Sequence, residues 1–382
     1  MSDEKKPNED QQAETKGEAA SAQSPSPEKP KPKPKAKQPE PAPSLVLSSS
    51  PHVHTPESIE SLMYTVILAL LPAFIGAVVF FGWDALRVTA ITIASCIVFE
   101  ALCLKMMGMA DRDFKRTLFD GSAVLTGLLL AMNLPANAPW WLCIAGGFVA
   151  MVIAKHVFGG LGANPFNPAL VARIFLLIAW AKHMTSWPVP RFFSSAATIN
   201  SDGLTAATPL GIISSAQDPE AGLEAVQAAF PLSHLFVGNI GGCLGETSAL
   251  LLLIGGVFLI AKKVIRWEIP VFFIGTMFIL SGIAWLIKPE VVPNPFFHIF
   301  AGGLFLGAFF MATDYVTSPM ATKGMMIFGI GCGVITFVIR FFGTYPEGVS
   351  FAIVIMNSLV PLIDRYCVPS IIGIEKGEKA PA

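Results

Sequence analysis

From Leu62 onward the chain is a series of long apolar blocks separated by short polar, proline or glycine turns. A hydrocarbon core about 30 Å thick takes roughly 20 apolar residues per helix. Ten blocks approach that length: 62–81, 86–107, 119–134, 139–156, 168–184, 244–262, 268–288, 297–313, 324–342 and 348–365. The third and eighth are short or open in glycine-rich sequence, so they are expected to be broken or tilted. The pattern predicts an all-α, polytopic membrane protein of about ten transmembrane helices, with one long loop between the fifth and sixth.

Composition sharpens this picture. With 53% hydrophobic and 14% charged residues the chain is too apolar for an average soluble domain. The formal net charge of −1 conceals an uneven layout, because lysines and acids crowd the first forty residues. Residues 1–44 are mostly Pro, Lys, Glu, Ala, Ser and Gln, and are read as a disordered, partly polyproline arm. No basic start followed at once by an apolar core is present there, so the arm is not read as a cleaved signal peptide. The expected division is the arm 1–44, a first membrane half 45–184, a loop 185–243, a second half 244–366 and a tail 367–382. Six cysteines are scattered without a Cys-x-x-Cys pair and read as core-filling residues.

Lysine and arginine set the expected orientation. Lys105, Arg112, Lys115, Arg116, Lys155, Lys262, Lys263, Arg266, Lys323, Arg365, Lys376 and Lys379 follow the even-numbered blocks, against Arg87, Lys182, Arg191, Lys288 and Arg340 on the other side. Both termini are therefore expected to be cytoplasmic and the 185–243 loop external. Two echoes suggest an internal repeat: Gly121–Leu130 resembles Thr247–Ile254, and Asn164-Pro-Phe166 recurs as Asn294-Pro-Phe296, at an offset of about 125 to 130 residues. The matched blocks are three apart, so the copies face opposite sides. Interrupted helices in inverted repeats place polar sites near the midplane.

The 185–243 loop holds Asp202-Gly-Leu-Thr205-Ala-Ala-Thr208-Pro-Leu, in which Gly203 and Pro209 favour a turn that exposes the Thr208 hydroxyl. Its pattern of Asp, two residues, Ser or Thr, a small residue, Ala and Thr resembles a flavin-attachment motif. The motif is that of the family formed by the D subunit of the Rnf-type ion-translocating oxidoreductase complex and its relative, the B subunit of the Na+-translocating NADH:quinone reductase. Further blocks carry the resemblance: Ser48–Val53, Phe158–Pro168, Gly241–Ala249 and Met311–Pro319. It runs from about Leu45 to near the C-terminus, and Asn164-Pro-Phe-Asn-Pro168 is more similar to the Rnf member of the pair. Ala206 departs from a commoner glycine and Tyr315 from a usual proline.

The resemblance implies FMN held by a phosphoester on Thr208, with Asp202 and Thr205 as motif residues, and a second, noncovalent riboflavin in the bundle. It also implies a flavin transferase for maturation, and partner subunits that pass electrons between ferredoxin and NAD while Na+ or H+ crosses a bacterial cytoplasmic membrane. Ser195-Ala-Ala-Thr198 repeats the small-small-Thr pattern, but lacks both an acid six residues upstream and the following Pro-Leu.

Ionisable groups within apolar blocks cost about 2.5 to 3.5 kcal/mol to insert and are functional candidates by default. They are Glu100, Asp120, Arg173, Glu246, Asp314, Arg340 and Asp364. Asp120 and Glu246 occupy matching places in the repeat, either beside a central polar site or as helix caps. Arg173 follows the Asn164–Pro168 loop closely enough to meet a flavin carbonyl, a phosphate or a buried carboxylate. Gly159-Gly-Leu-Gly162 follows an apolar helix rather than a strand, which argues against a dinucleotide loop. Apart from His52-x-His54 the histidines lack metal-ligand spacing, and no nucleic-acid signature is present. The competing reading is an ion channel or secondary transporter without redox role. A modified Thr208 separates the two.

Overall fold

The computed structural model describes residues 58–108, 111–188, 190, 208–215, 218–238, 240–343, 345 and 347–368. The arm 1–44, Asp202, Thr205 and Thr198 lie outside the described residues.

Helix α1 (Ile59–Phe81) is capped by Ser58, whose hydroxyl accepts from Ser61 N at 3.1 Å. A single residue, Gly82, separates it from α2 (Trp83–Met106); its φ of +64° is a conformation that glycine adopts without a Cβ clash. The first half continues with α3 (Asp111–Leu118), α4 (Ser122–Met132), α5 (Trp140–Phe148), α6 (Pro168–Ala179) and α7 (Ala181–Met184). Three short helices follow: α8 (Pro209–Ser215), α9 (Pro219–Ala229) and α10 (Leu232–Val237). The second half holds α11 (Ala249–Ala261), α12 (Glu268–Ile287), α13 (Pro295–Phe300), α14 (Leu304–Leu306), α15 (Thr322–Phe342) and α16 (Val349–Tyr366). Two π turns, Val149–Ile153 and Gly307–Met311, extend α5 and α14.

Among the described residues six helical segments are long and apolar enough to cross a membrane: α1, α2, α5 with its extension to Phe158, α12, α15 and α16. They leave apolar side chains such as Ile75, Val98, Ile279, Leu286 and Val338 on the outside, as a lipid-facing surface does. The other four apolar blocks depart from the expected full-length helices. Blocks 168–184 and 244–262 contain helices of 12 and 13 residues, α6 and α11. Block 119–134 holds the 11-residue α4. Block 297–313 is broken between α13 and α14, as its glycines suggested.

The halves echo one another at the helix starts, although in a different register from the Asn-Pro-Phe match. Asn167 caps α6, its side chain accepting from Ala169 N at 3.1 Å, and Asn294 caps α13, accepting from Phe296 N at 3.0 Å. Each cap is followed by proline at the first helical position, where its missing N–H costs nothing. The counterpart of Asn294 is thus Asn167 rather than Asn164, because the second Asn-Pro of the block begins the helix. Asn164 instead donates to the Phe166 carbonyl at 3.0 Å.

Lys155 corrects the charge reading. Expected from the sequence to be a loop cation, it lies just past the first π turn and is only 1% exposed. Its Nζ donates to Glu100 Oε1 at 2.5 Å and to Ser122 Oγ at 2.8 Å. The π turn extends the helical path beyond α5 and brings the ammonium inside; Arg340, counted on the other side, likewise lies within α15, so orientation rests on the remaining cations. Lys155→Met is expected to cost about 3–5 kcal/mol by leaving the buried Glu100 carboxylate without its ammonium, with only the His156 ring 3.8 Å away, whereas adding Glu100→Gln restores most of the loss. Heat-resistant folded protein in detergent measures both; equal loss in the single and double variants would refute the pairing.

Candidate functional site

α4 stops inside the helix layer, where lipid satisfies none of the carbonyls at a helix end. The segment before α11 supplies partners. Leu244 N donates to the Leu134 carbonyl at 3.0 Å, and the Cys243 thiol donates to that of Asn133 at 3.2 Å. The 3₁₀ turn Leu244–Glu246 then carries Glu246 inward. Arg173, from α6, gathers this region: Nη1 donates to Asn133 Oδ1 at 2.5 Å and Nη2 to Glu246 Oε1 at 3.4 Å, while Nη2 also pairs with Glu347 just ahead of α16. Ligand atoms of Cys243, Glu246 and Glu347 lie within 4.8 Å of one another. With the guanidinium among them, the cluster is an ion network of one cation and two carboxylates. Sequence reasoning singled out Arg173 and Glu246 but missed Glu347 and Asn133; Glu347 lies just ahead of Gly348, which caps α16, where an acid carries no signal of its contacts.

The break between α13 and α14 adjoins this network. Gly302 has φ +72°, and a Cβ placed on it would come within 3.1 Å of both Arg340 Nη2 and Leu210 Cδ1. A Cβ on Gly303 would lie 3.1 Å from Glu246 Oε1 and 3.8 Å from Arg173 Nη1. Two consecutive glycines thus let the Thr208 helix and Arg340 approach at one residue and the Arg173 network at the next. Arg340, on α15, closes the end of α13 by donating from Nη1 to the His298 carbonyl at 2.6 Å and from Nη2 to that of Ala301 at 3.1 Å. Its buried Nε finds no acceptor among the described residues, and neither ring nitrogen of His298 has a hydrogen-bond partner there.

Thr208 is not on an exposed turn as expected; it starts α8 and is 6% exposed. Pro209 occupies the first position, and the Thr208 hydroxyl accepts from Gly211 N at 3.0 Å, the geometry of an N-cap. Leu210 joins Val226, Leu235, Ile240, Phe297 and Ala301 in an apolar cluster, which docks the three short helices on α13. Burial of Thr208 follows from that docking.

The remaining candidates separate. Asp120 Oδ1 accepts from Ser122 N at 2.7 Å just ahead of Gly121, the N-cap of α4, whereas α11 is capped by Ser248 and Glu246 faces Arg173. Asp364 accepts from Met320 N at 3.2 Å. Asp314 lines a cleft with Thr126, Asn164, Asn167, Phe309 and Phe310. Burial raises its carboxyl above the ordinary range, opposed by the hydrogen bonds it accepts from the Thr317 hydroxyl and Val316 N.

The comparison with known proteins agrees with this architecture. Residues 46–373 match the NQR2, RnfD, RnfE family. A relative from Stutzerimonas stutzeri, the D subunit of an ion-translocating oxidoreductase complex, is 43% identical over 331 residues, covering 83% of this chain and 92% of its own. The D subunit of the Na(+)-translocating ferredoxin:NAD(+) oxidoreductase complex of Acetobacterium woodii is 43% identical, covering 88% and 98%. The proton-translocating counterpart from Clostridium ljungdahlii is also 43% identical, covering 86% and 96%. The chain belongs to the NQR2, RnfD, RnfE family, a multi-pass membrane family in which these relatives are D subunits of ion-translocating oxidoreductase complexes.

Proposed function

We propose that the chain is the D subunit of a complex coupling electron transfer between ferredoxin and NAD to movement of Na+ or H+, with FMN esterified to Thr208 as its electron relay. The observation that carries this reading is the Gly302–Gly303 seam, which sets the Thr208 helix against a buried ion network. The surroundings suit an anionic group on Thr208, since the Arg340 guanidinium lies beside Leu210 with a buried N–H lacking an acceptor among the described residues. Bound FMN supplies one- and two-electron chemistry.

The chain supplies placement and electrostatics. Thr208 offers the attachment hydroxyl. Arg173, Glu246 and Glu347 form a network with one more carboxylate than cation, so a charge change across the seam acts on groups that water screens weakly. Maturation requires a flavin transferase, and the other subunits of the complex deliver and remove electrons.

The reading has both termini in the cytoplasm and the Thr208 region outside, supported by the loop cations other than Lys155 and Arg340. Two measurements test the reading. In a Cys367→Ser background, Asp202→Cys should react with an impermeant thiol reagent on intact cells and Lys263→Cys should not; the reverse pattern defeats the orientation. The denatured protein should keep yellow flavin fluorescence in a gel, and a dark band would defeat covalent attachment.

A further inference from the structure

We infer that Arg340 is the residue that receives the phosphoryl group of the flavin on Thr208, an assignment that rests on the attachment proposed above. A guanidinium presents two donor edges: one formed by Nη1 and Nη2, the other by Nε and the second hydrogen of Nη2. Arg340 uses the first edge within the protein, donating from Nη1 and Nη2 to the carbonyls that end α13. These contacts fix the plane of the group. The second edge is left over, with its Nε–H buried and without an acceptor among the described residues.

That edge contains Nη2, the atom that lies 3.1 Å from the Cβ position of Gly302, as does Leu210 Cδ1, two residues from Thr208. Two parallel N–H donors match two oxygens on one phosphorus, and this is the geometry for which arginine outperforms lysine. A phosphodiester between threonine and riboflavin carries one negative charge and two non-bridging oxygens, so it satisfies the orphan donor with a charge-assisted hydrogen bond. Gly302 is part of the device: a side chain there would occupy the space between Nη2 and Leu210. The ring of His298, also without a hydrogen-bond partner among the described residues, lies 4.9 Å from Phe341, and the carboxylates of Glu246 and Glu347 act on the guanidinium from across the glycine seam. In buried surroundings a charge-assisted hydrogen bond is strong. Arg340 is thus a positioning residue that holds the tether rigid.

The experiment uses the assembled, flavin-loaded complex, with wild type, Arg340→Lys and Arg340→Gln compared at equal covalent flavin. The readout is the fluorescence anisotropy decay of the flavin on Thr208, isolated by difference from a Thr208→Ala complex. Arg340→Gln should release the tether and add a fast decay component absent from wild type, and Arg340→Lys should fall between. A merely structural role in ending α13 lowers the yield of folded complex without changing flavin mobility in the part that folds. Wild-type decay in both variants overturns the inference while leaving attachment intact; absence of flavin on Thr208 in wild type overturns both. If the variants fail to assemble, the structure of the loaded wild-type complex decides: a phosphoryl oxygen about 2.7–2.9 Å from Arg340 Nε supports the assignment, and one beyond hydrogen-bond reach refutes it.

Discussion

Replacing Thr208 with alanine is expected to leave a protein that inserts, folds and joins its complex but carries no flavin that survives denaturation. In the proposed reading the tether is one hydroxyl, and alanine removes it outright, so attachment is expected to fall from near complete to none rather than by a fraction. The structural cost is limited to the loss of one N-cap bond to Gly211, about 1 kcal/mol in a short helix held mainly by its packing on α13. Thr208→Ser keeps both cap and hydroxyl and should retain at least part of the flavin. Thr198→Ala should behave as wild type. Ferredoxin-driven reduction of NAD by the complex should fall with the flavin content of Thr208→Ala.

The largest effect on stability is expected at Arg173. Arg173→Leu leaves the buried Glu246 and the partly buried Glu347 without this cation, and removing one side of such a network costs about 3–5 kcal/mol. Arg173→Lys restores the charge but not the planar fork that reaches Asn133, Glu246 and Glu347 at once, so recovery should be partial. Adding Glu246→Gln and Glu347→Gln to Arg173→Leu removes the uncompensated charge and should regain most of the folded yield. Arg173→Lys protein that folds should keep covalent flavin, since the hydroxyl sits at the start of α8, while ion uptake per electron falls. Loss of flavin in step with ion uptake would mean that the two sites are not separable as described.

The long helices were legible because an uninterrupted apolar block of sufficient length has few other uses, and α1, α2, α12, α15 and α16 coincide closely with their blocks. The half-helices were only partly legible. Block 119–134 stays apolar through the point where α4 ends, because that end is stabilised by Cys243 and Leu244, more than a hundred residues away. The glycines of block 297–313 did mark a break, but its neighbours Arg340 and Leu210 come from remote segments. Lys155 misled because a lysine after an apolar block resembles a loop cation until the π turn and Glu100 are seen together. The position of Thr208 ahead of a proline was legible in the sequence, whereas its burial depends on packing against α13.

The most direct test of the central claim is mass analysis of peptides from the native complex, cleaved on either side of the 185–243 region. The account predicts an FMN phosphodiester on Thr208, with Thr198 and Thr205 unmodified. An adduct on Thr198, or the bare mass at Thr208 in an active complex, would contradict it.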